Sequence, residues 1–293
     1  MKSITVFTPS FNRAHLLPRL YESLKHQTSK DFVWMIIDDG SSDDTKNLVE
    51  QWIKESNFEI QYHYKENGGM HTAHNLAYSL IQTELNVCID SDDQMPSNAV
   101  EIISNIWNKE KNHTKLAGII GLDTDLEGKV LGTPIPKDLK KGNLKDLYKK
   151  FGVTGDKKLV LRSDLTKQYP AYPEYEKEKL VPLGILYLMI GNDYDFIYSN
   201  EVLCLVDYQE GGSSNTIQKQ YFQSPRGFAY AKQIQKKYSH SAKELITYSI
   251  HIGISSLITK DFSLMNQGPK KFLNWLFLPL AYLGLVYLKR KTK

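Results

Sequence analysis

Four short segments of this 293-residue chain concentrate the side chains able to bind or transfer a charged group. They are Thr8-Pro9-Ser10-Phe11-Asn12-Arg13, Asp38-Asp39-Gly40-Ser41-Ser42, Asn67-Gly68-Gly69 and Asp90-Ser91-Asp92-Asp93. The last holds three carboxylates within four residues. Carboxylates so close repel one another unless a cation neutralises them. An oxygen-only ligand set suits Mg²⁺ or Mn²⁺ rather than zinc, and such ions keep waters and bind substrate phosphates. Asp38 or Asp39 can accept hydrogen bonds from a base or ribose. Gly68 and Gly69 let a ligand approach the backbone closely. The sum points to a nucleoside diphosphate held beside a divalent ion. Each piece also has a plain structural use. Asp-Gly-Ser-Ser makes a turn and helix cap, Asn-Gly-Gly a turn, and Asp-Ser-Asp-Asp a solvated helix start. What argues against four coincidences is their placement, each directly after a strand.

The elements that must position them follow from apolar spacing. Strands are expected over Ser3 to Thr8, Phe32 to Ile37, Glu59 to Tyr64 and Leu85 to Ile89. Helices are expected over Ala14 to Gln27, Asp44 to Ser56 and Met70 to Gln82, with Pro18 tolerated in the first turn. Strands alternating with such helices imply a parallel sheet with right-handed crossovers, in which ligands bind beyond the carboxyl ends of the strands. Further strands are expected over Leu116 to Leu122, Gly128 to Gly132, Leu159 to Leu161 and Glu201 to Asp207, a lysine-rich, partly helical segment over Lys137 to Tyr148, and a buried helix over Leu180 to Ile190. From about Thr216 the pattern is helical. The division expected is 1–215 for the α/β domain and 216–293 for a helical C-terminal extension.

The chain is 41% hydrophobic and 24% charged, enough to bury a sizeable core, and its net charge of +4 is too small to argue for nucleic acid. Cys88 and Cys204 fall in apolar strand-like runs and read as free buried thiols, which fits a reducing cytoplasm. Met1-Lys2 leads straight into a strand, so no export signal is expected. Asn112-His113-Thr114 matches a glycosylation tripeptide by chance.

The four segments, with Met70-His71-Thr72-Ala73-His74-Asn75 continuing the third, resemble the family 2 glycosyltransferases of GT-A fold, a mostly parallel, Rossmann-like sheet flanked by helices, in bacterial surface-polysaccharide assembly. The resemblance covers the first hundred residues and continues faintly through Pro173 to Asn200. It implies that Pro9, Phe11 and Arg13 border the nucleotide, and that Asp39 binds the uracil of a UDP-sugar with Asp38 in support. Gly68, His74 and Asn75 would lie near the uridine and diphosphate. Asp90 and Asp92 resemble the DxD motif, with Asp92 the direct Mn²⁺ or Mg²⁺ ligand, Ser91 within the donor-binding segment, and Asp93 at the donor sugar or metal shell. His71 and His74, three residues apart on one helix face, could form a two-histidine metal site, but helix-start hydrogen bonding, or diphosphate contact by His74, is the preferred reading. The implied reaction inverts the sugar in one displacement, with a carboxylate taking the acceptor proton. Relatives often carry an acid directly after Val181-Pro182; this chain has Leu183. Glu178 is therefore the expected base, with Glu174, Glu176 and Asp193 behind it. Equally, the three glutamates are a solvated charge run, and the chain a sugar-nucleotide-binding or scaffold protein with little turnover. A nucleotidyltransferase would need a glycine- and basic-rich phosphate loop after strand one, which is absent.

Tyr169, Tyr172, Tyr175 and Tyr187 fall on the expected acceptor side, where aromatic faces suit sugar rings but also serve as core or surface filler, and Arg226 could meet an acceptor phosphate or simply start a helix. Phe272 to Leu288 is apolar apart from Asn274 and ends in Lys289-Arg290-Lys291-Thr292-Lys293. As one helix it spans about 25 Å, short of a bilayer core of about 30 Å. The expectation is a shallow or in-plane membrane anchor on the cytoplasmic leaflet, kinked at Pro279, which suits a lipid-linked saccharide acceptor; a protein–protein or core helix and a true membrane span are the alternatives. Homo-oligomerisation is left open.

Overall fold

Apolar and β-branched runs build the centre of the sheet. In the computed structural model, which describes residues 2–110, 114–207, 217–239 and 241–291, β1 (Ile4–Ser10) and β2 (Phe32–Asp38) are buried at every position. That is the signature of parallel strands covered on both faces. α1 (Leu17–Lys25) lies between them, and they are followed by α2 (Thr45–Glu55), β3 (Glu59–Tyr64), α3 (Met70–Leu80), β4 (Leu85–Cys88), α4 (Ala99–Glu110) and β5 (Leu116–Asp125). Then come β6 (Lys141–Gly142), α5 (Leu144–Lys149), β7 (Lys157–Arg162), α6 (Ser163–Gln168), α7 (Gly184–Asp193) and β8 (Asp195–Val206). The eight strands form one sheet in the order β3-β2-β1-β4-β7-β5-β8-β6. β1 pairs in parallel with β2 and β4, β2 with β3, and β5 with β8; β7 runs antiparallel between β4 and β5.

The chain divides into two compact units, one of residues 1–67, 72–171 and 186–209, the other of 68–71, 172–185 and 210–293. In the first, helices cover the sheet as their spacing dictates. Leu17, Leu20, Tyr21 and Leu24 form the buried stripe of α1. Tyr21 stacks on Trp52 of α2 with ring centroids 4.4 Å apart, and Trp34 and Phe58 close the cluster. α4 has no counterpart among the expected elements, although Ala99, Val100, Ile103 and Trp107 line its buried side.

Three other segments depart from expectation. Residues 128–132 do not form a strand: Asp125 Oδ1 accepts the N–H groups of Glu127 and Lys129, and the chain folds back on β5 through a single bridge, Thr124 to Val130. β8 starts six residues earlier than expected, because register shifts against β5 bring the polar Ser199, Asn200 and Glu201 to the surface and hide the first half of the strand. The apolar tail is two helices, α11 (Phe272–Leu276) and α12 (Leu278–Lys291). Pro279 therefore sits in a first turn, where its missing N–H costs nothing. Asn112-His113 and the expected boundary at 215 lie outside the described residues.

In the second unit α8 (Ile217–Gln223), α9 (Pro225–Lys237) and α10 (Ala242–Thr259) precede a 3-10 turn (Phe262–Asn266) and the α11–α12 pair. Tyr221, Phe228, Ile254, Ala281 and Leu285 make its core. Asn274, the one polar residue of the apolar tail, is fully buried. Its amide donates to the Met265 carbonyl and its oxygen accepts from Lys236 Nζ at 2.7 Å, while Lys236 also donates to the Lys270 carbonyl. These bonds tie α9, the 3-10 turn and α11 together.

Lys236 is thus a buried ammonium with neutral partners only among its hydrogen bonds. Burial, with help from the charge on Lys270, lowers its pKa to about 8. The folded state then gives up this proton more readily than the unfolded chain, where lysine titrates near 10.4. Stability must rise with pH between those two values. We expect the thermal midpoint to climb from pH 8 to 9.5 in the wild type relative to Lys236→Met, a difference on the order of 1 kcal/mol. Parallel profiles in a scan of both proteins would show that Lys236 is not the group responsible.

Candidate functional site

Strand register brings the expected donor residues of the first unit to one edge. Ser10, the last residue of β1, pairs with Asp38, the last of β2, and Phe7 pairs with Cys88, the last of β4. β1 lies between the other two, so the tips of β2 and β4 stand two strand spacings apart, about 10 Å. Asp39 and Asp90 extend from those tips on the same edge of the sheet. The Asp39 loop is cross-tied to the loop after β1. Asn12, at φ 54°, donates its N–H to Ser41 Oγ, and its side-chain oxygen accepts the Ser42 N–H, both at 2.8 Å. Asp43 accepts the Ala14 N–H at 2.9 Å. Asn12 and Asp43 were not among the expected site residues. Their signal, a short polar side chain beside a turn, is too common in loops to stand out.

The two aspartates after β2 differ in employment. Asp38 Oδ1 accepts the Ser41 N–H at 2.8 Å, and Oδ2 accepts the Tyr62 hydroxyl. Burial and the Asp38 carboxylate together push the Tyr62 pKa well up, so this hydroxyl keeps its proton. Asp38 thereby shapes the loop. Asp39, 4% exposed, pairs with Lys65 Nζ at 2.7 Å, and Asn67 donates to both its backbone carbonyl (2.8 Å) and its Oδ2 (3.1 Å). Gly40, at φ +86°, turns between them; a Cβ there would meet the Asn67 nitrogen at 2.7 Å. Pro9 is buried, Phe11 is exposed and Arg13 half-buried beside these loops.

After β4, Ser91 and Asp93 are buried, Asp90 and Asp92 half-buried. Burial raises the Asp92 carboxyl above the usual range and the Asp90 charge adds to it, while Arg13 pulls it back. Burial also pushes Asp93 up to about 7, against the ammonium of Lys158 and with the charges of Asp90 and Asp92. Asp93 accepts the Asp207 N–H at 3.3 Å, and the Cys204 thiol lies 3.5 Å from its other oxygen. Among the described residues no three metal-ligating side chains close around a common point. The acidic set is therefore not a complete protein cage. Its half-buried carboxylates, Asp90 and Asp92, fit a hard cation that takes one or two carboxylates and completes its shell with water and phosphate oxygens.

Two buried groups below this edge were missed. On β7 and β5, Lys158 and Asp123 face the acidic loop. Burial works against the Lys158 ammonium, but Cys204, Asp123, Asp93 and Asp90 more than offset it and hold its pKa well up. Asp123 is 3% exposed, and its Oδ1 has no hydrogen-bond partner among the described residues. The second group is a polar chain. His74, on α3, directs Nδ1 to the Tyr78 hydroxyl at 3.1 Å and Nε2 to Cys88 Sγ at 3.7 Å, with its ring edge-on to Phe7. Cys88 Sγ in turn lies 3.8 Å from Asp90 Oδ1, and Tyr187 hydrogen-bonds Tyr78 from α7. His74 is thus buried under the strand tips; Asn75 beside it is half-buried. Both cysteines are free, Cys204 buried and Cys88 half-buried.

Gly68, His71 and Glu178 belong to the second unit. There Gly69, at φ +96°, packs on the Lys179 carbonyl, 2.0 Å from where a Cβ would be. Glu178 is 8% exposed and anchors the start of α9: its two oxygens accept the N–H groups of Arg226 (3.1 Å) and Gly227 (3.0 Å). Arg226 also approaches Glu178 and Asp261 with its guanidinium, at 3.6 and 3.7 Å. Glu174 and Glu176 are exposed, as a charge run would be. Tyr172 spends its hydroxyl on the Leu183 carbonyl.

The family model of glycosyl transferase family 2 matches residues 5–167, more than half of the chain. Over 149 residues the chain is 32% identical to the poly(ribitol-phosphate) beta-N-acetylglucosaminyltransferase TarP of Staphylococcus aureus, covering 49% of this chain and 43% of that protein. It is 29% identical over 140 residues to the GalNAc(5)-diNAcBac-PP-undecaprenol beta-1,3-glucosyltransferase of Campylobacter jejuni, covering 47% and 45%. The matched stretch thus spans less than half the length of either relative. The crystal structure of S. aureus TarS 1-349 in complex with UDP-GlcNAc shares the fold at a TM-score of 0.58 and 15% identity, over 98% of this chain and 89% of that one. The mixed α/β sheet is therefore the GT-A arrangement that the motifs implied. Residues 5–167 include every strand tip at which the carboxylates meet, and the chain belongs to glycosyl transferase family 2.

Proposed function

We propose that this chain transfers a hexosyl or N-acetylhexosaminyl group, with inversion, from a UDP-sugar to a hydroxyl of a lipid-linked saccharide, in surface-polysaccharide assembly at the cytoplasmic face of the membrane. One observation carries the reading: the Asp39 loop and the Asp90–Asp93 loop share one sheet edge about two strand spacings apart, the reach needed to hold a nucleoside at one and a diphosphate at the other. The UDP-GlcNAc bound to TarS supports a UDP donor, and the undecaprenol-linked acceptor named for the Campylobacter relative supports a lipid-linked one.

In this reading Asp39, fixed by Lys65 and Asn67, offers a carboxylate already aligned for the uracil N–H. Phe11 lies open to stack on the nucleotide and Arg13 balances charge near Asp92. Asp92, with Asp90, would hold Mn²⁺ or Mg²⁺, which when bound stabilises the negative charge on the departing diphosphate. Asp93, buried beneath them, belongs to the donor-sugar side. The attacking hydroxyl forms the new C1–O bond as the bond to UDP breaks, and its proton passes to a carboxylate. Glu178 is the proposed acceptor of that proton.

A second reading, a sugar-nucleotide-binding protein with little turnover, is favoured by two facts about the base: Leu183 follows Val181-Pro182, and both Glu178 oxygens already accept α9 N–H groups.

Two measurements separate these. With a UDP-sugar panel and Mn²⁺, slow UDP release should be abolished by EDTA and fall at least 100-fold in Asp92→Asn, with the circular dichroism spectrum unchanged; an active Asp92→Asn ends the metal-site assignment. Glu178→Gln should cut transfer by roughly 100-fold or more while leaving UDP affinity within about twofold. A lowered thermal midpoint, by about 1 kcal/mol for a lost cap, with full transfer per folded molecule would leave Glu178 as an α9 anchor only.

A further inference from the structure

α12 is apolar all the way round, and only half of that surface is used. Its inner side, Ala281 and Leu285 with Leu278 and Leu288, packs on α10. The approach is close, since a Cβ on Gly253 of α10 would meet Ala281 at 2.7 Å and one on Gly284 would meet Ile254 at 3.1 Å. The outer side carries Leu280, Leu283 and Tyr287, 47%, 62% and 57% exposed. They are spaced three and four apart, one helix face. α11 continues the surface with Phe272 (64%), Trp275 (45%) and Leu276 (63%). A helix apolar on all sides is ordinarily covered on all sides, and an exposed apolar patch of this kind marks an interaction surface.

Charge names the occupant. From Phe262 to the last residue the sequence contains no Asp or Glu, yet it has Lys270, Lys271, Lys289, Arg290, Lys291 and Lys293. The cations flank the apolar face at both ends. Protein interfaces are depleted in lysine, whereas an apolar face with aromatic residues, bordered by lysine and arginine, suits a surface of acyl chains and anionic headgroups. No helix among the described residues is long and apolar enough to cross a membrane, so insertion is in the plane. The geometry points to the outer face of α11–α12 as a monotopic docking surface for an anionic lipid membrane, seated through Phe272, Trp275, Leu276, Leu280, Leu283 and Tyr287. This inference deepens the proposed membrane location but stands apart from the transferase reading, because it uses none of the donor-site residues.

The chain carries its own probe. Trp34, Trp52 and Trp107 are buried and only Trp275 is substantially exposed, so a change in tryptophan emission on lipid binding reports on this face. With vesicles of phosphatidylcholine containing 30 mol% phosphatidylglycerol, the whole chain should co-sediment, shift its emission to the blue and be quenched by brominated acyl chains. Partitioning should fall at least tenfold on pure phosphatidylcholine, and again in Leu280→Glu/Leu283→Glu and in Lys289→Glu/Arg290→Glu. UDP release from a UDP-sugar in detergent-free solution should be unchanged in both variants, so loss of lipid binding with retained release separates this surface from the donor site. No emission shift and no co-sedimentation on the anionic vesicles would overturn the inference. So would an oligomer in light scattering that Leu280→Glu/Leu283→Glu dissociates without any lipid binding, since a second copy would then cover the face.

Discussion

Carboxylate repulsion at the carboxyl edge of the sheet is the constraint on which the site depends. Two unit charges about 5 Å apart at an effective dielectric near 20 repel by roughly 3 kcal/mol, and this edge gathers Asp38, Asp39, Asp90, Asp92 and Asp93. The fold neutralises them unequally. Asp38 is absorbed by the Ser41 N–H and the Tyr62 hydroxyl, and Asp39 is matched to Lys65. Lys158, inserted from β7, holds Asp93 and Asp123 from below. What is left is the half-buried pair Asp90 and Asp92, balanced only in part by Arg13. The residual negative charge thus falls on the two residues that the DxD resemblance assigns to a cation, and the surrounding fold confines it there.

The first half of this arrangement was legible in the sequence because both signals are local. Parallel strands buried on two faces need apolar and β-branched runs, and the candidate residues follow the runs directly, as Asp38-Asp39 follow Ile36-Ile37 and Asp90 follows Ile89. β7 is also apolar, but its most consequential residue, Lys158, is a lysine in a strand that begins Lys157-Lys158 after Asp156, and such a run reads as solvent-facing. Only the pairing of β7 between β4 and β5 brings that lysine next to Asp93. The same holds for the His74–Cys88–Asp90 chain, whose members are 14 and 2 residues apart in sequence and meet because α3 packs under the tips of β1 and β4. Long-range register, which no window of sequence contains, decides these contacts.

Glu178 and Asn274 both make contacts that their neighbours in sequence do not suggest. Glu178 stands among exposed charges, Glu174, Glu176, Lys177 and Lys179, yet it alone turns inward to meet the N-terminus of α9. Helix dipole and free N–H groups favour a carboxylate at that spot whether or not it ever takes a proton. Asn274 lies inside α11, where its amide satisfies the Met265 carbonyl and the buried Lys236 together.

The break between α11 and α12 separates two demands that a single apolar tail would merge. The α10–α12 contact needs small or apolar residues at Gly253, Ala281, Gly284 and Leu285, and any such packing would tolerate polar residues at Leu280, Leu283 and Tyr287, which point away from it. The family match ends at residue 167, whereas the fold shared with TarS covers 98% of the chain. The helical part is therefore held by shape with little sequence signal. Apolar residues that neither the shape nor the core requires, kept free of acids and edged with lysine and arginine, answer to something outside the fold. Under the proposed reading, with the acceptor carried on lipid, a face that holds the protein against the acceptor's own surface raises the local concentration of that acceptor without any change in the donor site.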